Sequence, residues 1–276
     1  MTQHSTATEL DAQPRAQGAA RLSAKRVDGA SRIDALAMSG SLKLLFPRPA
    51  GPALEAVMVN TAGGITGGDQ FTCDGEAGAG AALSLTTQAA ERVYRAAGAN
   101  PGRLSTRLTV RDGASLAWLP QETILFDGAY LKRRLSVDLA EDARFLMVEP
   151  LVFGRAAMGE SLHAARFDDR VEIRRAGQPI WLDAVQLDGD IAALMGRKAL
   201  GDGARAMASL VYIAPDAEAL REPLRALLPE TAGASLIREN MLVARLLAPD
   251  SYDLRRTLVP AIKLLNSNEI PKPWML

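Results

Sequence analysis

The chain reads as a mainly β protein with two helices reserved for its last third. Three observations lead there: short alternating apolar stretches punctuated by glycine from Arg21 onward, an apolar motif that recurs along the middle of the chain, and helical spacing of leucine only after Asp216. With 276 residues and 48% apolar content there is enough material for a sizeable core. Residues 20–276 are expected to form one β-rich domain. Residues 1–19, alanine-rich and polar without a sustained period, read as a disordered tail.

In chain order, Val27-Asp28-Gly29-Ala30 lies between two alternating stretches, and Arg111-Asp112-Gly113-Ala114 lies between Leu104–Val110 and Leu116–Trp118. Asp-Gly at such places signals a hairpin or a tight corner. Between them comes Asn60-Thr61-Ala62-Gly63-Gly64-Ile65-Thr66-Gly67-Gly68-Asp69, directly after the apolar strand Val57–Val59. Its four glycines predict consecutive tight turns at positive φ or at close approach. A phosphate cradle would need a Lys-Ser/Thr pair opening a helix; here Asp69-Gln70-Phe71 follows, so Gly63, Gly64, Gly67, Gly68 and Asp69 read as a structural and docking loop.

Ala81-Ala82-Leu83-Ser84-Leu85, Ala114-Ser115-Leu116-Ala117-Trp118 and Ala143-Arg144-Phe145-Leu146-Met147 align at spacings of 33 and 29 residues. Stacked β-coils would give such a recurrence, because one coil buries its apolar side only against a neighbour. Three unrelated strands of similar β-propensity would give it too. Further on, Asp216 can cap a helix bearing Leu220, Leu224 and Leu227 on one face, with Pro223 inside it. Asp250 or Ser251 can cap Tyr252–Leu265, where Leu254, Leu258, Ile262 and Leu265 recur at helical spacing around Pro260. Ala234–Leu247 between them reads as one strand.

Basic and acidic residues balance at 32 each, which predicts no general attraction to nucleic acid or to an anionic membrane. No apolar run reaches membrane-spanning length, and the first residues lack the apolar core of a secretory signal, so a cytoplasmic location is expected. Cys73 is the only cysteine, and it reads as a small packed residue. Of two histidines, His4 falls in the tail and His163 has no nucleophile-elbow motif beside it. One histidine and one cysteine cannot close a tight nickel or zinc shell without carboxylates or a second chain.

The glycine loop, Thr86-Thr-Gln-Ala-Ala-Glu-Arg-Val-Tyr-Arg95, Trp118-Leu-Pro-Gln-Glu-Thr-Ile-Leu-Phe-Asp-Gly-Ala129 and Glu149-Pro-Leu-Val-Phe-Gly-Arg155 together resemble the UreD family of urease accessory proteins. The resemblance runs loosely from about residue 20 to the end of the chain. Ala90-Glu91-Arg92 departs from it where a small or hydroxyl residue is expected before a basic one, and so does Pro271-Lys272-Pro273-Trp274, where Pro-Arg-Ile-Trp is more usual. The resemblance implies a fold like a right-handed β-helix, which favours stacked coils over unrelated strands. It also implies a non-catalytic maturation factor that docks urease apoprotein, a UreF-like scaffold and a UreG-like GTPase. Such a factor binds no cofactor tightly and helps conduct nickel toward the urease active site.

Family positions on an internal nickel path match Glu149 and Asp183. Both carboxylates lie in apolar stretches, where each needs a metal, water or an arginine such as Arg155 or Arg166. Two other classes are compatible with a β-solenoid. One is a carbohydrate-active enzyme using Asp168/Asp169 or Glu149/Asp183 as acid and base, the other a binding module for a small ligand.

Overall fold

The computed structural model describes residues 14–48, 51–155 and 158–275. β1 (Gln17–Val27) and β2 (Ala30–Gly40) form a hairpin across Asp28-Gly29, the Asp-Gly turn expected there. β3 (Leu42–Leu45) and β4 (Leu54–Asn60) pair antiparallel and open a second sheet. The chain then winds between the two sheets. β5 (Gln70–Ala77) lies in the first sheet, while β6 (Ala82–Thr87) and β7 (Glu91–Val93) lie in the second. The next coil repeats this with β8 (Gly102–Val110), then β9 (Ser115–Leu119) and β10 (Thr123–Leu125); a third has β11 (Tyr130–Leu139) and β12 (Arg144–Phe153).

The recurrence in the sequence is this stacking. In the first sheet Gln70 pairs with Arg103 and Arg103 with Lys132; in the second Ala82 pairs with Ser115 and Ser115 with Arg144, steps of 33 and 29 residues in each. Ala81, Ala114 and Ala143 sit one above another at the corner where the chain changes sheets, and each is at most 2% exposed. Each donates its N–H back across a tight turn, to Gly78, Arg111 and Ala140 respectively. A corner packed this closely between stacked coils has room for a methyl group and little more. Asp112-Gly113 is therefore a corner, whereas Asp28-Gly29 is a hairpin.

β13 (Ala165–Arg175) and β14 (Gln178–Gly189) close one end of the first sheet, whose order is β14-β13-β11-β8-β5-β1-β2. The second sheet is completed by β15 (Ala206–Ile213), β16 (Ala232–Arg238) and β17 (Met241–Ala248), in the order β16-β17-β15-β12-β9-β6-β4-β3, with β10 beside β12 and β7 beside β10. Alternating side chains such as Phe71, Leu108, Leu135 and Phe167 from one sheet and Leu83, Leu116, Phe145 and Met147 from the other fill the space between.

Among the described residues three α-helices occur, all after residue 190: α1 (Ile191–Met195), α2 (Ala217–Arg225) and α3 (Ser251–Leu265). The short α1 was not foreseen; Asp190 caps it by accepting the Ala193 N–H at 2.8 Å. Asp250 caps α3 through the Asp253 N–H, and Leu254, Leu258, Ala261, Ile262 and Leu265 are buried against the outer face of the second sheet. Trp274 completes this layer, 1% exposed, with its Nε1–H donated to the Leu119 carbonyl at 2.9 Å.

Four expectations need correction. β1 begins at Gln17, so Gln17–Ala19 are strand instead of tail; residues 1–13 of that expected tail lie outside the described residues. Asp216 stands at the start of α2 but does not cap it, because its carboxylate is drawn to Tyr212 Oη at 2.8 Å and to Arg144 at 3.1 Å. Leu227 lies past the helix end and is 38% exposed, leaving Leu224 as the anchor. Ala234–Leu247 is a hairpin, not one strand, since Asn240 takes φ +63°, a conformation asparagine tolerates.

The stripe on α3 carries the first expected outcome. Leu258→Ala should destabilise the protein by about 2–5 kcal/mol, the usual cost of a buried Leu-to-Ala cavity, read as a lower urea midpoint. Truncation at Pro249 should give aggregated protein by uncovering the outer face of the second sheet. A soluble, cooperatively unfolding truncation would show the helix to be dispensable.

Candidate functional site

The glycine loop leaves β4 and packs on β7. Ile65 donates its N–H to the Arg92 carbonyl at 2.8 Å and accepts the Tyr94 N–H at 2.8 Å. Asp69, 4% exposed, accepts the Ala16 N–H on one carboxylate oxygen and the Thr66 N–H on the other, each at 2.8 Å. It thus ties the loop to the chain leading into β1. Asn60 Oδ1 accepts the Ala62 N–H at 3.0 Å, and its Nδ2 donates to the Gly64 carbonyl at 3.1 Å and to Glu91 at 3.2 Å.

Gly63, Gly64 and Gly68 have positive φ as expected; Gly67 does not. Gly67 is glycine for want of space, since a Cβ there would lie 2.7 Å from the Asn100 carbonyl oxygen and 2.8 Å from Ala96 Cβ. At Gly64 the two demands coincide: φ is +151°, and a Cβ would come within 2.3 Å of the Tyr94 ring.

Glu149 projects from β12 into the space between the sheets and is 5% exposed. Trp118 Nε1–H donates to its Oε1 at 2.8 Å. Its Oε2 lies 2.8 Å from Arg133 Nη2 but outside hydrogen-bonding geometry, so that contact is an ion pair only. Arg133, on β11 in the opposite sheet, is committed to Asp169 of β13, donating from Nε at 2.9 Å and from Nη2 at 2.7 Å; its Nη1 reaches Thr123 Oγ1 at 3.3 Å. Phe167 lies beneath the guanidinium, 5.4 Å from ring centre to Cζ. Burial works against the charge on Arg133, yet Asp169 and Glu149 overcome it and raise its pKa. One cation thus faces two carboxylates. Burial pushes the Glu149 carboxyl upward, Arg133 opposes this, and Asp169 and Asp183 add to it.

Asp183, on the inward phase of β14, accepts from Arg245 Nη2 of β17 at 2.6 Å. The pair joins the two sheets at their far end, and Arg245, Ser209 and Glu149 are lateral neighbours across β17, β15 and β12. Glu149 and Asp183 thus keep separate arginine partners, and the Asp183 charge adds the last of the influences that act on the Glu149 carboxyl. The arginines that hold them are Arg133 and Arg245, correcting the expected Arg155 and Arg166, which pair with Glu160 and Asp188.

Two cavities lie on the other side of Glu149. An internal one of ≈ 30 Å³ is lined by Thr87, Glu91, Trp118, Gln121, Arg133 and Glu149, and an open pocket of ≈ 260 Å³ by Asn60, Gly63, Thr87 and Glu91 among others. Among the described residues, no cluster of three or more His, Cys, Asp or Glu side chains is placed to hold a metal ion. What the interior offers is a line of separate polar groups. Gln121 Nε2, buried in the cavity wall, has no hydrogen-bond partner among the described residues.

Elsewhere, burial pushes the Cys73 thiol up to about 12, as expected of a packed residue. His163 is an exposed side chain with Nδ1 3.2 Å from Asp190. Asp168 and Asp169 face opposite ways: Asp168 pairs with Arg134 at 2.9 Å outside the solenoid, and Asp169 is locked to Arg133 inside. Neither pair of carboxylates foreseen for glycoside chemistry is free to flank a sugar. Among the described residues, no helix is long and apolar enough to cross a membrane.

Arg133 had no place in what the sequence suggested, and Asp169 entered only as half of the Asp168/Asp169 acid-base alternative, not as the partner of an arginine. A period-two signal was there for both, since Arg133 falls in phase with Leu131 and Leu135, and Asp169 with Phe167 and Val171. Glu91 stood out only as a departure from the family pattern.

Two outcomes follow for stability. Gly64→Ala should cost more than Gly63→Ala, whose added methyl meets nothing within 4 Å and adds only backbone strain; parallel urea melts compare them. For Glu91, burial raises the pKa from 4.5 to about 7, against a lowering hydrogen bond from Asn60. The folded state keeps this proton where the unfolded chain has lost it, so the resulting stability is present in full below pH 4.5 and is lost as pH rises through about 7. Glu91→Gln, isosteric and uncharged, should lack that decline and gain up to about 3 kcal/mol on wild type across the window. Identical pH profiles for the two proteins would show that Glu91 is not buried in this way.

A profile of the family described as UreD urease accessory protein matches residues 16–274. A urease accessory protein UreD of Ruegeria pomeroyi is 55% identical over 255 residues, covering 92% of this chain and 99% of that relative. One of Roseobacter denitrificans is 52% identical over 271 residues, 98% of each chain, and UreD 1 of Brucella abortus is 44% identical over 266 residues, 95% of each. With a family match spanning nearly its whole length and relatives at this level of identity, the chain belongs to the UreD family of urease accessory proteins.

Proposed function

We propose that this protein is a non-catalytic factor of urease maturation that docks urease apoprotein together with a UreF-like scaffold and a UreG-like GTPase, and passes nickel along its interior. The observation that carries this reading is the buried charge imbalance: two carboxylates, Glu149 and Asp169, share the single guanidinium of Arg133 between the sheets. A buried site with one negative charge in excess favours a proton or a passing cation. Asp183 extends the same field toward the far end of the solenoid. Nickel is cargo on this path, and spaced carboxylates suit it because weak oxygen donors release a divalent ion as readily as they receive it. Energy for directed transfer comes from the GTPase, since this sequence holds no P-loop motif. The glycine loop, with Tyr94 36% exposed beside it, is a docking element in this reading.

Glu149→Gln and Asp183→Asn test the path. The structure predicts that both fold: a glutamine still accepts from Trp118 while Arg133 keeps Asp169, and Arg245 freed from Asp183 is 40% exposed and open to water. Each variant should assemble with its partners yet yield urease with less nickel at limiting nickel concentration. The double variant should do worse than either. Urease nickel contents equal to wild type in both single variants across that range would make these carboxylates structural and route the ion elsewhere.

A further inference from the structure

Glu91 occupies a position that the path through Glu149 and Asp183 leaves unexplained. It lines both cavities, the open pocket beside the glycine loop and the internal one that reaches Glu149, so it stands in their common wall. Its carboxylate oxygens lie 3.2 and 3.3 Å from Asn60 Nδ2 and have no other side-chain partner among the described residues. No arginine or lysine among the described residues balances it, which sets it apart from Asp169 and Asp183. Its lateral neighbour across β7 and β10 is Thr123, whose hydroxyl meets Arg133. The polar groups therefore run in order from Asn60 through Glu91 and Thr123 to Arg133 and Glu149.

The internal cavity itself points to an occupant. Gln121 Nε2, a donor, and Glu149 Oε2, an acceptor, both belong to side chains 5% exposed, and both lack a hydrogen bond in its wall. A volume of ≈ 30 Å³ with polar groups of both kinds suits an ordered water, or an ion exchanging its water for oxygen donors. An apolar ligand would leave both groups unsatisfied.

From this we infer that Glu91 is the admitting residue of the interior path: a hydrated divalent cation in the open pocket is drawn to its carboxylate, sheds water there and passes through the internal cavity to Glu149. Asn60 positions Glu91, and because the same amide also donates to the Gly64 carbonyl, the carboxylate is tethered to the glycine loop. A partner that shifts the loop shifts the tether. This inference rests on the transfer reading above, and the experiment separates their failures.

Glu91→Gln, Glu91→Asp and Glu149→Gln are compared with wild type in the full chain, co-expressed with urease and its accessory proteins, and urease nickel content is measured over a series of nickel concentrations. Co-purification of the accessory complex is scored in parallel. Glu91→Gln should raise the nickel concentration for half-maximal loading roughly tenfold, with the complex intact and loading restored at excess nickel. Glu91→Asp, which keeps the charge, should stay nearer wild type. A wild-type curve for Glu91→Gln beside reduced loading in Glu149→Gln would overturn the role of Glu91 and leave the path standing. Wild-type curves for both would remove the path and its mouth together. Equal shifts in Glu91→Gln and Glu91→Asp, or loss of the accessory complex, would assign Glu91 to shape rather than charge and reject the inference.

Discussion

The interior of this solenoid depends on how Arg133 is held. A guanidinium between two packed sheets would be costly alone, since removing an ion from water costs several kcal/mol even after the surroundings relax. Asp169 offsets much of that through two parallel hydrogen bonds from a neighbouring strand, and Phe167 offers its ring face below. Glu149 approaches from the other sheet with its charge only partly matched. The interaction thus does two things: it joins the sheets at a point where apolar packing would otherwise run unbroken, and it leaves the interior electronegative. A hydrophobic trio of similar volume would hold the sheets together as well or better. The charged one makes sense where something charged must be accommodated.

Much of the architecture could be read in advance because stacking in a solenoid is local in sequence. Neighbouring coils are about thirty residues apart, so the alignment of Ala81, Ala114 and Ala143 survives as a visible period and becomes the register of β6, β9 and β12. Helix α3 was legible for the same reason, its stripe and its Asp250 cap being contained in sixteen residues. One failure came where a side chain answers to a distant one. Asp216 should cap α2 by local rules, but Arg144, far back in the chain, competes successfully for it.

The candidate site was legible at the level of single residues and not of partners. Glu149 and Asp183 were identified as misplaced carboxylates, yet nothing near them in sequence names Arg133 or Arg245, because those pairings cross from one sheet to the other. The inward phase of Arg133 and Asp169 along their strands was the available clue. Two charged residues in phase with leucine, valine and phenylalanine imply either an error in the strand assignment or an ion pair inside. The strands themselves are long and regular enough to exclude the first.

The proposed transit would constrain this interior in a way that storage would not. Four strong donors converging on one point would hold nickel too well to release it, whereas donors spread along the inter-sheet space give a series of shallow positions. Spacing alone is insufficient, since how readily a buried carboxylate exchanges its proton for a cation depends on the charge that compensates it. Each position therefore needs a different balance. Asp183 is neutralised by Arg245 near the surface, Glu149 is half-neutralised by Arg133, and Glu91 is met only by the dipole of Asn60. Along the proposed path from the glycine loop, the compensating charge grows from an amide to a shared and then a private guanidinium. A cation would thus meet its least compensated carboxylate first and its most compensated last, an order that favours uptake beside the loop and release at the far end of the solenoid.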